Sequence, residues 1–401
     1  MTKGNLGVRI QPVSAETLPL LIMTGVTEAS EPERMVSQVR QAITLDLVER
    51  ALAVPSLGPI VVATNSPGLA GRLAGYGQQV TVDVDERGET FHFGRRLLGL
   101  IARYDADRCF YIGGGAGPLL SAADMAAIAD KLLAADRLLI ANNFYSSDWA
   151  AFCPTGALAG HAPPDNDNEL AWLLGEEAGL PIQELPRNGA TQFDVDTPTD
   201  LLTLSVHPGA GANAQACLDG MALDGRALDA ALPLLLDRDA EIVVAGRVGS
   251  LTWSYLERET ACRTRVISEE RGMRASRRQA QGQVRSVLGY YLDAVGLERF
   301  FEGLATMGQA VFIDNRVILA HRGLWPSAAD RFYSDLRRPA QIGEPFLREF
   351  TAAAMAAPVP VIMGGHSLVA GGMYALVEAA WARGHDVPRH VVPTTLPWGE
   401  V

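Results

Sequence analysis

Short apolar segments alternate with helical segments along most of the chain, and this alternation limits the possible folds more than any other feature. In the first half, the apolar runs typical of strands cover residues 18–23, 59–63, 79–84, 108–112, 137–141 and 192–195. The patterns typical of helices cover residues 35–53, 67–76, 93–104, 122–134 and 169–178. This order predicts an α/β fold in three α/β/α layers, with a largely parallel sheet between helices.

The second half repeats the alternation. Its predicted strands cover residues 241–245, 264–267, 310–314, 359–363 and 390–392. Its predicted helices cover residues 223–236, 251–260, 284–307, 328–336, 345–357 and 368–383. Because 401 residues exceed what one core usually holds, and because a Pro-Gly-Ala run lies within 205–213, we expect two domains. They are residues 1–205 and a Rossmann-like α/β domain of residues 206–401, for which the sequence suggests no family.

The composition excludes some classes of partner. A formal net charge of −12 argues against a nucleic-acid partner, since a protein that binds the phosphate backbone needs a basic surface. No apolar run has the length that spans a bilayer, and the first residues carry no apolar segment typical of a signal peptide. The sequence therefore predicts a cytoplasmic protein without a membrane partner, and it leaves assembly into a homo-oligomer open.

The segment Phe-Asp-Val-Asp-Thr-Pro-Thr-Asp-Leu at residues 193–201 permits two interpretations. On an extended segment, Asp194 and Asp196 point to the same side and could hold a divalent cation against phosphate oxygens. The same letters describe a helix start, with Thr197 as the N-cap, Pro198 in the first turn and Asp200 close behind. From these residues alone both interpretations stay open.

Small residues follow two of the predicted strands of the first half. Thr24 and Gly25 follow the first strand, and Gly113, Gly114 and Gly115 follow the fourth. In a parallel sheet such strand ends lie at one edge, where ligands bind. A glycine turn lets a ligand approach backbone N–H groups, but it is equally common as a tight turn between a strand and a helix.

The order of these parts resembles the nucleotidyltransferase superfamily with a GT-A-like fold, over residues 59–201. Within that superfamily the resemblance is to molybdenum-cofactor guanylyltransferases and, in more detail, to phospholactate guanylyltransferases. It rests on Gly-Ala-Gly-Pro-Leu-Leu-Ser at residues 115–121 and on Asp-Val-Asp-Thr-Pro-Thr-Asp-Leu at residues 194–201. The resemblance implies that Mg2+ is held by Asp194 and Asp196 and that the strand-end turns, with Thr24, Gly25 and Gly113–Gly115, bind a nucleotide.

Two departures from the family pattern bear on activity. The first loop lacks the family's basic pair and lysine and carries three glutamates, so only Arg34 could steady a triphosphate. The family's acidic residue in the central turn aligns with Ala116, which has no side-chain oxygen. The phosphate loop and the metal motif are therefore degenerate, and two hypotheses follow: a divergent nucleotidyltransferase, and a scaffold without catalysis whose binding site lies in the second half.

The second half has its own candidates for an anion site. Gly364, Gly365, His366 and Ser367 follow a predicted strand and are expected to open a helix, with N–H groups free for an anion. The close-packed turn with a capping Ser is the alternative.

Further candidates follow other strands of this half. They are Arg271, Arg274 and His321, the last predicted to lie in a loop. The runs Asp-Arg-Phe at 330–332 and Ser-Asp at 334–335 are expected to be helical and to serve in capping and in surface ion pairs. A third hypothesis is a small-molecule enzyme that uses His321, His366, Arg271 and Arg274 on an anionic substrate.

Overall fold

The computed structural model describes residues 17–27, 29–85 and 90–384, which form two compact units. The first unit comprises the described parts of Met1–Val26, Thr44–Ala116 and Leu120–Pro186. The second unit comprises the described parts of Thr27–Ile43, Gly117–Leu119 and Arg187–Val401. Among the described residues, no helix is both long enough and apolar enough to cross a membrane.

The first unit contains a seven-stranded sheet. Its strands are β1 (Leu18–Thr24), β2 (Leu57–Thr64), β3 (Val80–Val84), β4 (Cys109–Gly113), β5 (Leu138–Ala141), β6 (Trp149–Cys153) and β7 (Ile182–Glu184). They lie in the order β3-β2-β1-β4-β6-β5-β7. The pairs are parallel except where β6 runs antiparallel to β4 and to β5. The predicted α/β class, with a largely parallel sheet, is confirmed.

Five helices accompany this sheet in the chain. They are α1 (Glu31–Leu52), which begins within the ranges of the second unit, α2 (Pro67–Leu73), α3 (Phe93–Arg103), α4 (Ala122–Leu133) and α5 (Leu170–Trp172). Local capping explains two of the starts. The side chain of Ser66 accepts a hydrogen bond from Leu69 N before α2, and Ser121 forms a capping box with Asp124 before α4.

The strand order reverses at β1. The chain proceeds from β1 outward to β2 and β3, and then returns to place β4 on the other side of β1. The central strands are buried on both faces, since successive residues such as Leu20, Leu21 and Ile22 are each fully buried. In sheets of this kind a ligand binds outside the carboxyl ends of the strands at such a reversal.

The second unit contains a four-stranded, fully parallel sheet. Its strands are β8 (Glu241–Gly246), β9 (Arg263–Ser268), β10 (Ala310–Asp314) and β11 (Val361–Gly364), in the order β11-β10-β8-β9. The order reverses at β8, between β9 and β10. Successive residues of β8 contact different clusters of the core: Ile242 and Val244 lie in one, and Val243 and Ala245 in another.

Eleven α-helices of the described chain follow α5. They are α6 (Gly189–Gln192), α7 (Pro198–Val206), α8 (Ala212–Asp219), α9 (Arg226–Ala231), α10 (Ser250–Glu259), α11 (Val287–Val295), α12 (Leu297–Met307), α13 (Arg316–His321), α14 (Ala328–Asp335), α15 (Pro345–Ala356) and α16 (Gly371–Arg383).

Some predicted elements are wrong. The strand predicted for 192–195 is reduced to an isolated bridge at Asp194, because the capping box of Asn188 and Thr191 opens α6, which extends through Gln192. The helix predicted for 284–307 is two helices, separated at Gly296, whose φ is +80°. The sequence prediction also missed β6, β7 and α13, while the strand predicted for 390–392 lies outside the described residues.

Candidate functional site

The predicted nucleotide-binding residues of the first unit meet at the reversal of its sheet. β1 and β4 are paired with Met23 opposite Gly113, so the residues after these strands are neighbours. A Cβ added to Gly114 would lie 2.5 Å from Oγ1 of Thr24 and 2.9 Å from its Cα. Only glycine allows this approach. Thr24, Gly25, Gly113, Gly114 and Gly115 therefore form one surface, here named the glycine edge.

Thr24 carries an unpaired polar group at the glycine edge. Its Oγ1 is buried and makes no hydrogen bond within the described part of the chain. Buried hydroxyl groups are usually paired, because an unpaired one costs free energy. The neighbouring Gly25 is exposed. Thr24 is therefore a polar group that a ligand at this edge could satisfy.

Acidic groups lie beside Gly113. A Cβ there would lie 3.0 Å from Asp148 O, from Oδ2 of Asp167 and from the hydroxyl of Tyr111. That hydroxyl donates to Oδ2 of Asp167 over 3.2 Å. Burial, and then the Asp167 carboxylate, raises the pKa of Tyr111. Gly113 is buried, and a residue without a side chain fits between these three groups.

The two predicted metal ligands lie in the second unit. Val195 is buried, whereas Asp194 is half-buried and the side chain of Asp196 is 58% exposed. The two carboxylates thus lie on the side opposite Val195, as their spacing predicts. Asp196 forms an ion pair with Arg40, whose Nε also donates to Val195 O over 2.7 Å.

The same segment forms the predicted helix start. Thr197 is the N-cap of α7 and forms a capping box with Asp200, and Pro198 is the first helical residue. One carboxylate oxygen of Asp200 accepts hydrogen bonds from Thr197 N over 2.7 Å and from Thr197 Oγ1 over 2.9 Å. Burial raises the pKa of Asp200 to about 7, although hydrogen bonds from Ser367 and Thr197 act in the opposite direction. The capping interpretation is confirmed, and its contacts are made by Thr197 and Asp200 rather than by Asp194 or Asp196.

Arg34, the candidate triphosphate ligand, lies on the exposed side of α1. Its backbone N–H donates to Ser30 O over 3.0 Å. Within the described ranges, no group of three or more His, Cys, Asp or Glu side chains is arranged to hold a metal ion. A cation at Asp194 and Asp196 would therefore take its other ligands from water or from phosphate oxygens.

Five arginines lie at or beyond the carboxyl ends of β8, β9 and β10, or on the nearby α14. They are here named the arginine edge and comprise Arg247, Arg271, Arg274, Arg316 and Arg331. Arg247 follows β8 and binds Asp314 at the end of β10, with Nε–Oδ2 and Nη2–Oδ1 distances of 2.5 and 3.1 Å. A Cβ on Gly246, whose φ is +121°, would lie 2.5 Å from Cβ of Asp314. Glycine at this position therefore permits the close pairing of Arg247 with Asp314.

A second buried ion pair holds Arg316. Its Nη1 and Nη2 donate to the two carboxylate oxygens of Asp335 over 2.8 and 2.6 Å. Burial raises the pKa of Asp335 to about 6, although the Arg316 charge lowers it. The prediction that Asp335 is a surface residue is wrong, because the side chain is fully buried against this partner.

Arg331 lies over the ring of Trp325, with its guanidinium carbon 4.6 Å from the ring centroid. Burial lowers the pKa of Arg331 to about 10, and the charges of Arg316 and Arg274 act in the same direction. Arg331 is only partly buried, so the prediction of a surface position holds for this residue in part. Its surroundings are rich in positive charge.

His366 lies in the turn after β11. Its Nε2 is buried and has no hydrogen-bond partner in the residues that the structure describes. Burial, together with the charges of Arg247 and Arg271, lowers the pKa of His366 to about 4, although Asp314 acts in the opposite direction. The imidazole is therefore neutral at pH 7.

The helix expected directly after His366 begins later. α16 starts at Gly371 with Ala370 as its N-cap, and a turn occupies the residues between. Ser367 does not cap this helix through its side chain, because its hydroxyl donates to both carboxylate oxygens of Asp200 over 2.8 Å. Gly364 and Gly365 lie against Thr199 and Thr197, where an added Cβ would come within 3.2 and 3.3 Å. Both the predicted helix start and the capping role of Ser367 are wrong.

Arg271 and Arg274 lie on the segment that follows β9, and both are exposed. Neither side chain makes a hydrogen bond or an ion pair with another residue of the described ranges. A Cβ on Gly249, the N-cap of α10, would lie 3.0 Å from Nη1 of Arg271. The structure thus places Arg271 against the start of α10.

His321 is not in a loop, as the sequence predicts, but is the last residue of α13. Its Nδ1 accepts a hydrogen bond from Ser286 N over 3.1 Å, and its Nε2 lies 3.4 Å from Oδ2 of Asp293. Tyr290 packs edge-on against the ring. Both ring nitrogens therefore already have partners, in contrast to those of His366.

Some site residues have no signal in the sequence. Arg40 and Asp196 are 156 positions apart, and Arg316 and Asp335 belong to different helices. Nothing in the local sequence links either pair. The positions of Arg247 and Arg316 at strand ends are predictable from the sequence, because the apolar strands β8 and β10 end just before them.

The comparisons with known proteins concern about half of the chain. No family model and no curated protein matches the sequence. A cytidylyltransferase from Leptospira borgpetersenii serovar Hardjo-bovis is similar, at 14% identity and a TM-score of 0.37, over 52% of this chain and 99% of its own. A nucleotidyl transferase from Methanothermobacter is similar at 16% identity and a TM-score of 0.33, over 46% of this chain and 94% of its own.

A protein of Mycobacterium tuberculosis H37Rv is similar at 19% identity and a TM-score of 0.35, over 47% of this chain and 96% of its own. At these scores the site must be argued from this protein's own strand order and contacts.

Proposed function

We propose that the protein is nucleotidyltransferase-like and binds a nucleotide or a phosphorylated small molecule at the glycine edge. One observation carries the proposal: the residues that the family resemblance implies for nucleotide binding meet where the order of the first sheet reverses. Reversals of this kind are the usual ligand sites of parallel sheets. The buried, unpaired hydroxyl of Thr24 adds a group that a ligand would satisfy.

The glycine edge itself suits the uncharged part of a nucleotide. It consists of backbone and one hydroxyl, and Asp148 O and the Asp167 carboxylate lie beside Gly113. Acceptor oxygens pair with the amino and imino groups of a base or with ribose hydroxyls, and they repel phosphate. We therefore assign the base and ribose, rather than the phosphates, to this surface.

The resemblance also implies Mg2+, and Asp194 and Asp196 fit this ion as two of its ligands. They are accessible carboxylates on one side of the chain, which suits a cation that keeps waters and binds phosphate oxygens. Bound Mg2+ would neutralise phosphate charge. Arg40, which pairs with Asp196, would hold that carboxylate in place. Arg34 remains the candidate that steadies the triphosphate.

The reaction proposed on this basis is nucleotidyl transfer. An oxygen of a phosphate or carboxylate acceptor forms a bond to the α-phosphorus of a nucleoside triphosphate, and the bond to the leaving pyrophosphate breaks. The residues of this chain would bind and orient the two reactants.

A scaffold without catalysis is the second candidate, and Ala116 favours it. This residue occupies the family's acidic position, and it is buried without a side-chain oxygen. Under this candidate the glycine edge binds a nucleotide at most, and no pyrophosphate is released.

The test is a titration with each of the four nucleoside triphosphates, with and without Mg2+, on the wild-type protein and on Thr24→Val. Valine has the shape of threonine without the hydroxyl. We expect one base to raise the melting temperature most, and we expect Thr24→Val to weaken that ligand about tenfold, the loss of one hydrogen bond in a buried site. Asp196→Asn should remove only the Mg2+-dependent part of the response.

The outcomes separate the candidates. Equal responses to all bases, or an unchanged affinity in Thr24→Val, would refute nucleotide binding at the glycine edge. Base-specific binding without release of pyrophosphate in the presence of acceptors would support the scaffold. All titrations are repeated in an Arg271→Gln background, so that binding of the triphosphate at the arginine edge does not enter the result.

A further inference from the structure

The arginine edge holds more positive charge than the acidic groups around it balance. Arg247 and Arg316 pair with two buried carboxylates, Asp314 and Asp335. Glu33 also interacts with Arg331, which still leaves an excess of two positive charges. This excess belongs to Arg271 and Arg274, which are exposed and therefore accessible to an anion.

The nearest acidic side chains of the same segment are engaged elsewhere. Glu269 accepts hydrogen bonds from Ser286 Oγ over 2.8 Å and from Leu288 N over 2.9 Å. Glu270 pairs with Arg278, with an Nε–Oε1 distance of 2.5 Å. Neither is therefore a partner of Arg271 or of Arg274.

The start of α10 adds to the positive potential. Its N-cap is Gly249, and no side chain caps the helix. The first N–H groups of a helix carry partial positive charge and bind anions. Arg271 lies against this N-cap, so two features that repel each other meet at one place. An anion between them would remove this repulsion.

His366 is the independent sign of a ligand at this place. Its Nε2 is buried and unpaired in the described structure, and Gly364, two residues earlier, pairs with Asp314, the partner of Arg247. His321, in the same unit, has partners at both ring nitrogens. Since buried polar atoms are rarely left without a partner, the Nε2 of His366 calls for one beyond the described residues, and in the neutral imidazole it donates when the proton lies on this nitrogen.

We propose that the arginine edge is a binding site for a phosphate group, with Arg271, the N-terminus of α10 and Nε2 of His366 as its direct contacts and Arg274 beside them. The ion pairs of Arg247 with Asp314 and of Arg316 with Asp335 hold the surrounding framework. The site lies where the order of the second sheet reverses at β8, which is the usual place for a ligand.

The geometry favours phosphate over carboxylate. One guanidinium fork satisfies a planar carboxylate. Here the donors come from separate elements: the turn after β8 that leads into α10, the segment after β9 and the turn after β11. Donors from several directions suit the tetrahedral oxygens of phosphate. The residues of the proposed site and those of the glycine edge belong to different sheets.

The experiment is a calorimetric titration of the full-length protein with inorganic phosphate, pyrophosphate and citrate at constant ionic strength. The variants are Arg271→Gln and His366→Leu. Arg299→Gln is the matched control, because Arg299 is exposed on α12 and its substitution removes the same charge. We expect phosphate or pyrophosphate to bind the wild-type protein, and we expect each test variant to weaken that binding at least tenfold.

Each result decides the proposal. Retained affinity in Arg299→Gln together with loss in both test variants supports it. The proposal is overturned if neither phosphate nor pyrophosphate binds, if citrate alone binds, if the test variants keep the wild-type affinity, or if Arg299→Gln loses as much as they do. Circular dichroism of each variant establishes that loss of binding is not loss of folding. The nucleotide titrations with Thr24→Val are unaffected by this outcome.

Discussion

The two sheets of this protein end in edges of opposite character. Each sheet is largely or fully parallel, and each reverses its strand order next to a central strand, β1 in the first unit and β8 in the second. The glycine edge consists of backbone and a single hydroxyl beside acidic groups. The arginine edge consists of guanidinium groups, of which those of Arg247 and Arg316 are held by buried carboxylates. We therefore propose two different kinds of recognition for one topology.

This difference shows that the position of a site and its chemistry have separate causes. The strand order decides where a ligand can bind, and the residues after the strands decide which ligand binds there. At the glycine edge the contact surface is backbone, so shape and hydrogen bonding would select the ligand. At the arginine edge charge would select it. Four substitutions test this contrast.

The largest effect is expected from Asp335→Asn. The substitution leaves the Arg316 guanidinium buried with half of its partner, and breaking a buried ion pair in this way typically costs about 3 kcal/mol. Denaturant unfolding measures the change. The control is Glu241→Gln, which breaks the more exposed pair with Arg265 and should cost no more than about 1 kcal/mol. Equal losses would mean that the arginine edge is not held by its buried pairs.

Gly114→Ala should have the next largest effect at neutral pH. The added methyl group would meet Oγ1 of Thr24 at 2.5 Å, and overpacking of this kind costs about 2 kcal/mol. Gly71→Ala is the control, because an added Cβ there meets nothing within 4 Å and alanine favours the helix α2 by up to about 1 kcal/mol. If both variants unfold at the same denaturant concentration, the close approach at the glycine edge is not real.

His366→Leu should change the pH dependence of stability. The folded-state pKa of His366 is about 4, below its ordinary value, so the folded state takes up a proton less readily than the unfolded state. The stability that this provides is complete above about pH 6.5 and is lost as the pH falls toward 4. The variant should not lose this stability on acidification, and for a shift from about 6.5 to about 4 the difference amounts to about 3 kcal/mol. Parallel stability curves for the two proteins between these pH values would contradict the burial of a neutral imidazole among Arg247, Arg271 and Asp314.

Thr24→Val should have the smallest effect, and of opposite sign. Because the hydroxyl has no partner in the described structure, its removal should stabilise the ligand-free protein by about 1 kcal/mol. Thr203→Val is the comparison, since the Thr203 hydroxyl donates to Thr199 O over 3.1 Å and its removal should destabilise. A loss of stability in Thr24→Val would show that the hydroxyl is already paired.

The sequence predicts the central strands of both sheets, because strands that are buried on both faces appear as apolar runs. β1, β4, β8 and β10 were predicted within a few residues, since their side chains are buried on both faces. β7 was missed because two of its three residues are exposed and it carries no apolar run. The division at residues 205 and 206 stays a prediction.

Residues of the candidate sites were predictable only where a polar residue or a glycine stands at the end of a strand. Thr24 and Gly113 stand at the ends of their strands, and the structure brings the glycines beside Thr24. The pairing of Asp335 was not predictable, because its helical spacing gives no sign of a buried partner 19 residues earlier. Long-range ion pairs depend on packing, which local patterns do not record.

The most direct test of the account is a crossed titration of Thr24→Val and Arg271→Gln with two ligands, the preferred nucleoside and inorganic pyrophosphate. The nucleoside carries no phosphate, and pyrophosphate carries no base. The account predicts that Thr24→Val weakens only the nucleoside and that Arg271→Gln weakens only pyrophosphate. If either variant weakens both ligands equally, the two edges are not separate sites and the account is contradicted.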